Sequence, residues 1–120
     1  MASVKGVVER LAQIKGVVGS VLVAKDGLVV ASDLSVQVQD EIVAAMVSAV
    51  GSTAVKAAEM MEQGTLKNII IESESGKLFL SDTNIGYLGV LTAPDANIGL
   101  VRLELREAAE VLKKLTGSGT

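Results

Sequence analysis

The 120-residue sequence predicts an α+β fold, a three-layer α/β/α sandwich of element order α-β-β-α-β-β-β-α. A five-stranded antiparallel sheet carries a long central helix on one face and the two terminal helices on the other. Three observations predict this. Residues 35–64 contain no proline and repeat apolar side chains every three or four positions, the period of a helix. Apolar runs on either side of that segment are interrupted by Asp26-Gly27 and Ser75-Gly76, which suit tight hairpin turns. Both ends of the sequence show one-sided helical stripes.

The first helix is expected from Ser3 to Lys15, with Val4, Val7, Val8, Leu11 and Ile14 on one face and Lys5, Glu9, Arg10 and Gln13 opposite. Gly16 ends it. Strands Val17 to Ala24 and Leu28 to Ser32 follow, joined through Lys25-Asp26-Gly27. The central helix runs from Ser35 to Gly64, capped by Ser35 or a residue just after it and stopped by Gly64. Leu66 to Ser73 and Lys77 to Ser81 form a second hairpin around Ser75-Gly76, and Thr83-Asn84 turns the chain into a last strand, Ile85 to Thr92, which ends before Pro94. Asp95 or Asn97 caps a final helix with Ile98, Val101, Leu105, Ala108, Leu112 and Leu115 in one stripe, favourably placed Lys113 and Lys114, and Gly117 as its stop. Residues 1–117 read as a single domain and 118–120 as a frayed tail.

Composition narrows the chemistry. Apolar residues make up 49% and aromatic ones 2%, so the core is built from Val, Ile, Leu, Ala and Met. The sequence has no cysteine and no histidine, which removes the thiolate nucleophile, the commonest metal ligand and the commonest general base. A net charge of −3 with one Tyr and one Phe argues against a nucleic-acid surface. The apolar segment Val17 to Ala24 is too short for a membrane span and lies behind a charged helix pattern, so it is no signal peptide either. The reading is a soluble cytoplasmic protein with no cofactor, no metal and no catalytic group. Its mean hydropathy of +0.48 is high for such a protein, and self-association is the simplest destination for the excess apolar surface.

The central helix locates that surface. On a helical wheel Glu41, Ser48, Ser52, Glu59 and Gln63 fall on one side, while Ile42, Val43, Met46, Val47, Val50, Ala54, Ala57 and Met61 occupy the other. The apolar arc covers about 200°, twice the stripe needed to cover one core face. Ala49, Gly51, Ala54, Ala57 and Ala58 leave room for a second backbone, and the same helix of another copy is the expected occupant. Ile69-Ile70-Ile71, without charge or proline, is hazardous as a bare edge, and pairing with its counterpart removes the hazard. The expected homodimer interface is therefore Ile42, Met46, Val50, Ala54, Ala57, Met61, Ile69, Ile70 and Ile71.

Sharper motifs dissolve under inspection. Gly16-Val17-Val18-Gly19-Ser20 is followed by no Gly-Lys-Ser/Thr and enters a strand, so it is no phosphate loop. Gly99 has only Arg102 nearby in sequence to support an anion site. Arg10, Arg102 and Arg106 are the only arginines, and Arg106 stands one turn before Glu110, which suits an ordinary surface pair better than a catalytic finger. Asp26, Asp82 and Asp95 are explained by turns.

The hairpin Val21-Leu22-Val23-Ala24-Lys25-Asp26-Gly27-Leu28-Val29-Val30-Ala31-Ser32, the Ala-rich central helix, and Tyr87-Leu88-Gly89-Val90-Leu91 leading to Asn97-Ile98-Gly99-Leu100-Val101-Arg102 carry a resemblance over nearly the whole length. In these features the chain resembles the Roadblock family, the dynein-light-chain and GTPase-regulator group. That resemblance implies homodimers or paralogue heterodimers with a sheet continuous across the interface, and binding or regulation of small Ras-like GTPases or service as an adaptor. The compact chain is similar to the bacterial and archaeal regulators of the gliding-motility type. The expected partner surface is the polar stripe Glu41, Ser48, Ser52, Lys56 and Glu59, doubled by the dimer axis into a platform for a GTPase. An adaptor subunit without effect on GTP turnover is the alternative reading, and a small-molecule sensor the third.

Overall fold

The computed structural model describes residues 3–34 and 39–116. The elements are α1 (Val4–Ala12), β1 (Val17–Val23), β2 (Val29–Leu34), α2 (Asp40–Met60), β3 (Asn68–Ser73), β4 (Gly76–Thr83), β5 (Gly86–Thr92) and α3 (Ile98–Leu115). Their type and order are those expected. All neighbouring strands pair antiparallel, in the order β2-β1-β5-β4-β3. β5 lies at the centre between β1 and β4, and β2 and β3 are the edges.

Consecutive side chains on a strand point to opposite faces, so the apolar runs feed two cores. Leu22, Phe79, Leu88 and Val90 pack against Val7, Val8 and Leu11 of α1 and Val101, Leu105 and Leu112 of α3. Val21, Val23, Leu80 and Tyr87 pack against Ala44 and Val47 of α2. The sheet is therefore covered on both faces, one helix on one side and two on the other, as the near-continuous apolar strands require.

Local signals set most boundaries. The Ser3 hydroxyl accepts the Gly6 N–H at 3.0 Å and caps α1, and the Asn97 side chain accepts the Leu100 N–H at 3.0 Å and caps α3, resolving the choice between Asp95 and Asn97. Both turns of the second half fall one residue later or earlier than expected. Ser73 pairs with Gly76, leaving Glu74-Ser75 as the β3–β4 turn, and Thr83 pairs with Gly86, leaving Asn84-Ile85 as the β4–β5 turn. Gly86 enters β5 at φ +151°, where a Cβ would stand 2.0 Å from the Val23 carbonyl oxygen, so only glycine fits.

The central helix is shorter than its apolar period suggests. It runs over 21 residues from Asp40, with Gln39 at the N-cap and no side-chain cap bond. The expected cap, Ser35, lies outside the described residues, as do Gly117 and the tail 118–120. Asp40 and Glu41 oppose the positive end of the helix dipole, and the Asp40 carboxylate accepts a bond from the Ser32 hydroxyl on β2. At the other end the helix stops before Gly64. Gln63 N–H donates to the Ala58 carbonyl at 2.9 Å and Glu62 N–H to the Glu59 carbonyl at 3.0 Å, the paired bonds of a Schellman motif. Glu62 itself takes the left-handed position at φ +57°, and Gly64, at φ +85°, follows in the loop.

Candidate functional site

The outer half of α2 is divided lengthwise. Glu41, Ser52, Lys56 and Glu59 are exposed, as are Ile42, Met46, Ala49, Thr53 and Met60. At 100° per residue the first group spans about 60° and the second an adjoining arc of about 60°. A polar row and an apolar row thus run side by side. Met60 is 78% exposed, Met46 64% and Ile42 53%, values that set them apart from Ala44, Val47, Gly51 and Ala58 on the buried side.

The expected site residues separate accordingly. Ile42, Met46 and Met61 are exposed, while Val50, Ala54 and Ala57 are half-buried, with Val50 packed on the core beneath the helix. On the edge strand Ile69 is half-buried against that same core, and Ile70 and Ile71 are exposed. The expected interface omits Met60, although Met60 has the wheel angle of Ile42 and the periodicity alone would have found it. Of the polar row, Ser48 is the one member turned partly inward: its hydroxyl donates to the Lys25 carbonyl at 3.0 Å.

That bond belongs to a clamp that positions the helix face. The Lys25 ammonium lies 2.5 Å from the Asp82 carboxylate at the end of β4 and 4.9 Å from the centre of the Tyr87 ring on β5. The β1–β2 turn is set by Gly27 at φ +95° and by the Asp26 carboxylate, which accepts the Leu28 N–H at 3.2 Å. One turn residue thereby ties the first hairpin to two other strands and to α2. Beside the polar row, Ser52, Thr53, Lys56, Ala57 and Met60 line a shallow depression of about 300 Å³.

Among the described residues no group of three acidic side chains is arranged to hold a metal ion. α2 is long and apolar enough to cross a membrane by length and composition, yet it lies on the sheet with a mixed polar and apolar outer surface.

The fold defines the class: a layered α+β domain with strand order 2-1-5-4-3 and one helix facing two across the sheet. A family model described as the Roadblock/LC7 domain matches residues 4–92, and the chain belongs to the Roadblock/LC7 family. Two uncharacterised proteins of Methanocaldococcus jannaschii, MJ1340 and MJ0310, are 43% and 42% identical to it over 101 residues, covering 84% of this chain and 89% of each relative. Among solved structures, Myxococcus xanthus MglB superposes with a TM-score of 0.89 at 22% identity, covering 96% of this chain and 95% of that one. The gliding protein MglB of Thermus thermophilus superposes with a TM-score of 0.81 at 16% identity, covering 98% and 94%.

Proposed function

We propose that this chain is a non-catalytic, dimeric regulator of a small Ras-like GTPase in the cytoplasm. The observation that carries the proposal is the divided outer face of α2, where an uncovered apolar row adjoins a charged row on one rigid element. Burying an apolar side chain of this size contributes roughly 1.5–3 kcal/mol, so covering Ile42, Met46 and Met60 with the same row of a second copy is a substantial driving force. Ile70 and Ile71 on edge strand β3 offer a second, continuous pairing surface. In the resulting dimer Glu41, Ser48, Ser52, Lys56 and Glu59 of each copy border a shared platform that receives the GTPase, and mixed charge steers its docking. The family membership and the resemblance to gliding-motility regulators support the partner class. A solved MglB described in a tetrameric arrangement supports self-association as a habit of the fold.

The test is to mix the purified protein with a Ras-like GTPase from the same genome and to measure complex formation and GTP turnover. Binding with altered turnover supports the regulator. Binding with unchanged turnover gives the adaptor reading, and no binding to any such GTPase overturns both.

A further inference from the structure

The opposite face of the sandwich carries a groove that the proposed function does not use. It lies between α1 and α3 and encloses about 420 Å³. Its floor is apolar, formed by Val7 and Leu11 of α1 with Ala108 and Val111 of α3. Arg10 stands on the α1 rim and Glu104 and Glu107 on the α3 rim. Among the described residues none of these three has an ion-pair partner. Leu100, Glu104, Glu107 and Val111 of α3 share an arc of about 60°, whereas Arg102, Arg106 and Lys113 fall within about 40° on the other flank; Lys114, about 20° from Glu107 on the wheel, lies two turns further along and does not line the groove.

We infer that this groove is a docking site for an amphipathic helix of a partner protein, one with a row of Lys or Arg beside its apolar stripe. Two carboxylates three residues apart on α3 match cations one turn apart on the occupant, and Arg10 across the groove favours an acidic residue on its other side. A strand is a poor fit, because helices α1 and α3 present no row of unpaired backbone groups to extend. Gly6 on the α1 rim keeps that wall low, so that a helix backbone approaches closely. The central helix of a second copy is a poor fit as well: its uncovered apolar row Ile42, Met46 and Met60 adjoins one cation, Lys56.

The experiment uses two labelled peptides of about 18 residues with an identical leucine and alanine stripe, one with lysines along the flank and the other with glutamates at the same positions. Fluorescence anisotropy against the full chain is expected to show about tenfold tighter binding of the lysine peptide. That preference disappears in Glu104→Lys with Glu107→Lys, falls to about threefold in Glu104→Gln with Glu107→Gln, and survives in Glu41→Lys with Glu59→Lys on the other face. Absence of binding, a preference under about twofold, or equal loss in the Glu41 and Glu59 variant overturns the assignment. So does a rise in assembly mass that the Glu104 and Glu107 variants reverse, which would give the groove to a second copy.

Discussion

The ring of Tyr87 lies against the backbone of α2 at Gly51, so close that a Cβ on residue 51 would stand 2.6 Å from its Cε1 and Cζ atoms. This contact sets how near the central helix approaches the sheet, and it places the chain's one tyrosine where a large side chain meets the smallest.

Gly51→Ala tests that relationship. Alanine is worth up to about 1 kcal/mol over glycine inside a helix, but forcing a methyl into a filled core costs roughly 1–3 kcal/mol. The expected net loss is about 1–2 kcal/mol in urea denaturation. In a Tyr87→Leu background the same change is expected to be neutral or stabilising, and a loss of equal size there would show that the ring is not the obstacle.

Glu62 occupies the left-handed position that ends α2, at a cost of about 1 kcal/mol for a residue with a Cβ. Glu62→Gly is expected to raise stability by about 0.5–1 kcal/mol, although glycine substitutions generally destabilise. Gly64→Ala, in the following loop at φ +85°, is expected to lose stability. Thermal denaturation of the two variants checks the pair of signs.

The proposed dimer is tested through the apolar row. Sedimentation equilibrium at micromolar concentration is expected to give a dimer. Ile42→Glu with Met46→Glu, both exposed in the single chain, raises the dissociation constant by at least about 100-fold while leaving circular dichroism unchanged. A monomeric parent protein would remove the interface from this helix.

The charged row is tested by reversal. Glu41→Lys with Glu59→Lys is expected to weaken GTPase binding by about tenfold in calorimetric titration without changing the dimer mass. Reversing Arg10 and Lys15 on the opposite face is expected to do less, and a larger loss from that pair would move the GTPase site there.

The chain alone is expected neither to bind nor to hydrolyse GTP, because it has no phosphate loop with its lysine. Equilibrium dialysis with labelled nucleotide checks this, and saturable micromolar binding would make the chain a switch in its own right.

The sequence by itself determined the eight elements, their order and which faces of the strands are buried. These depend on local physics: the helical repeat of α1 and α3, the unbroken apolar run at Val21-Leu22-Val23, and turn chemistry at Asp26-Gly27 make the same demand within a few residues of chain. Asn97 was legible as one of two candidate caps for the same reason, whereas Ser3 was read as the first residue of the helix and the structure makes it the cap. What only the tertiary structure decided involves partners far apart in sequence. Strand order places β5 between β1 and β4 and leaves β3 at an edge through pairings such as Leu22 with Leu88. The apolar side of α2 is shared between sheet and exterior because Val47 meets the core while Met46 and Met60 overhang it. The helix ends at Glu62 even though the better left-handed residue, Gly64, stands two positions on, and the groove with Arg10 facing Glu104 and Glu107 exists only because α1 and α3, about 90 residues apart, pack side by side. Periodicity records which side of an element is apolar, and packing decides what covers it.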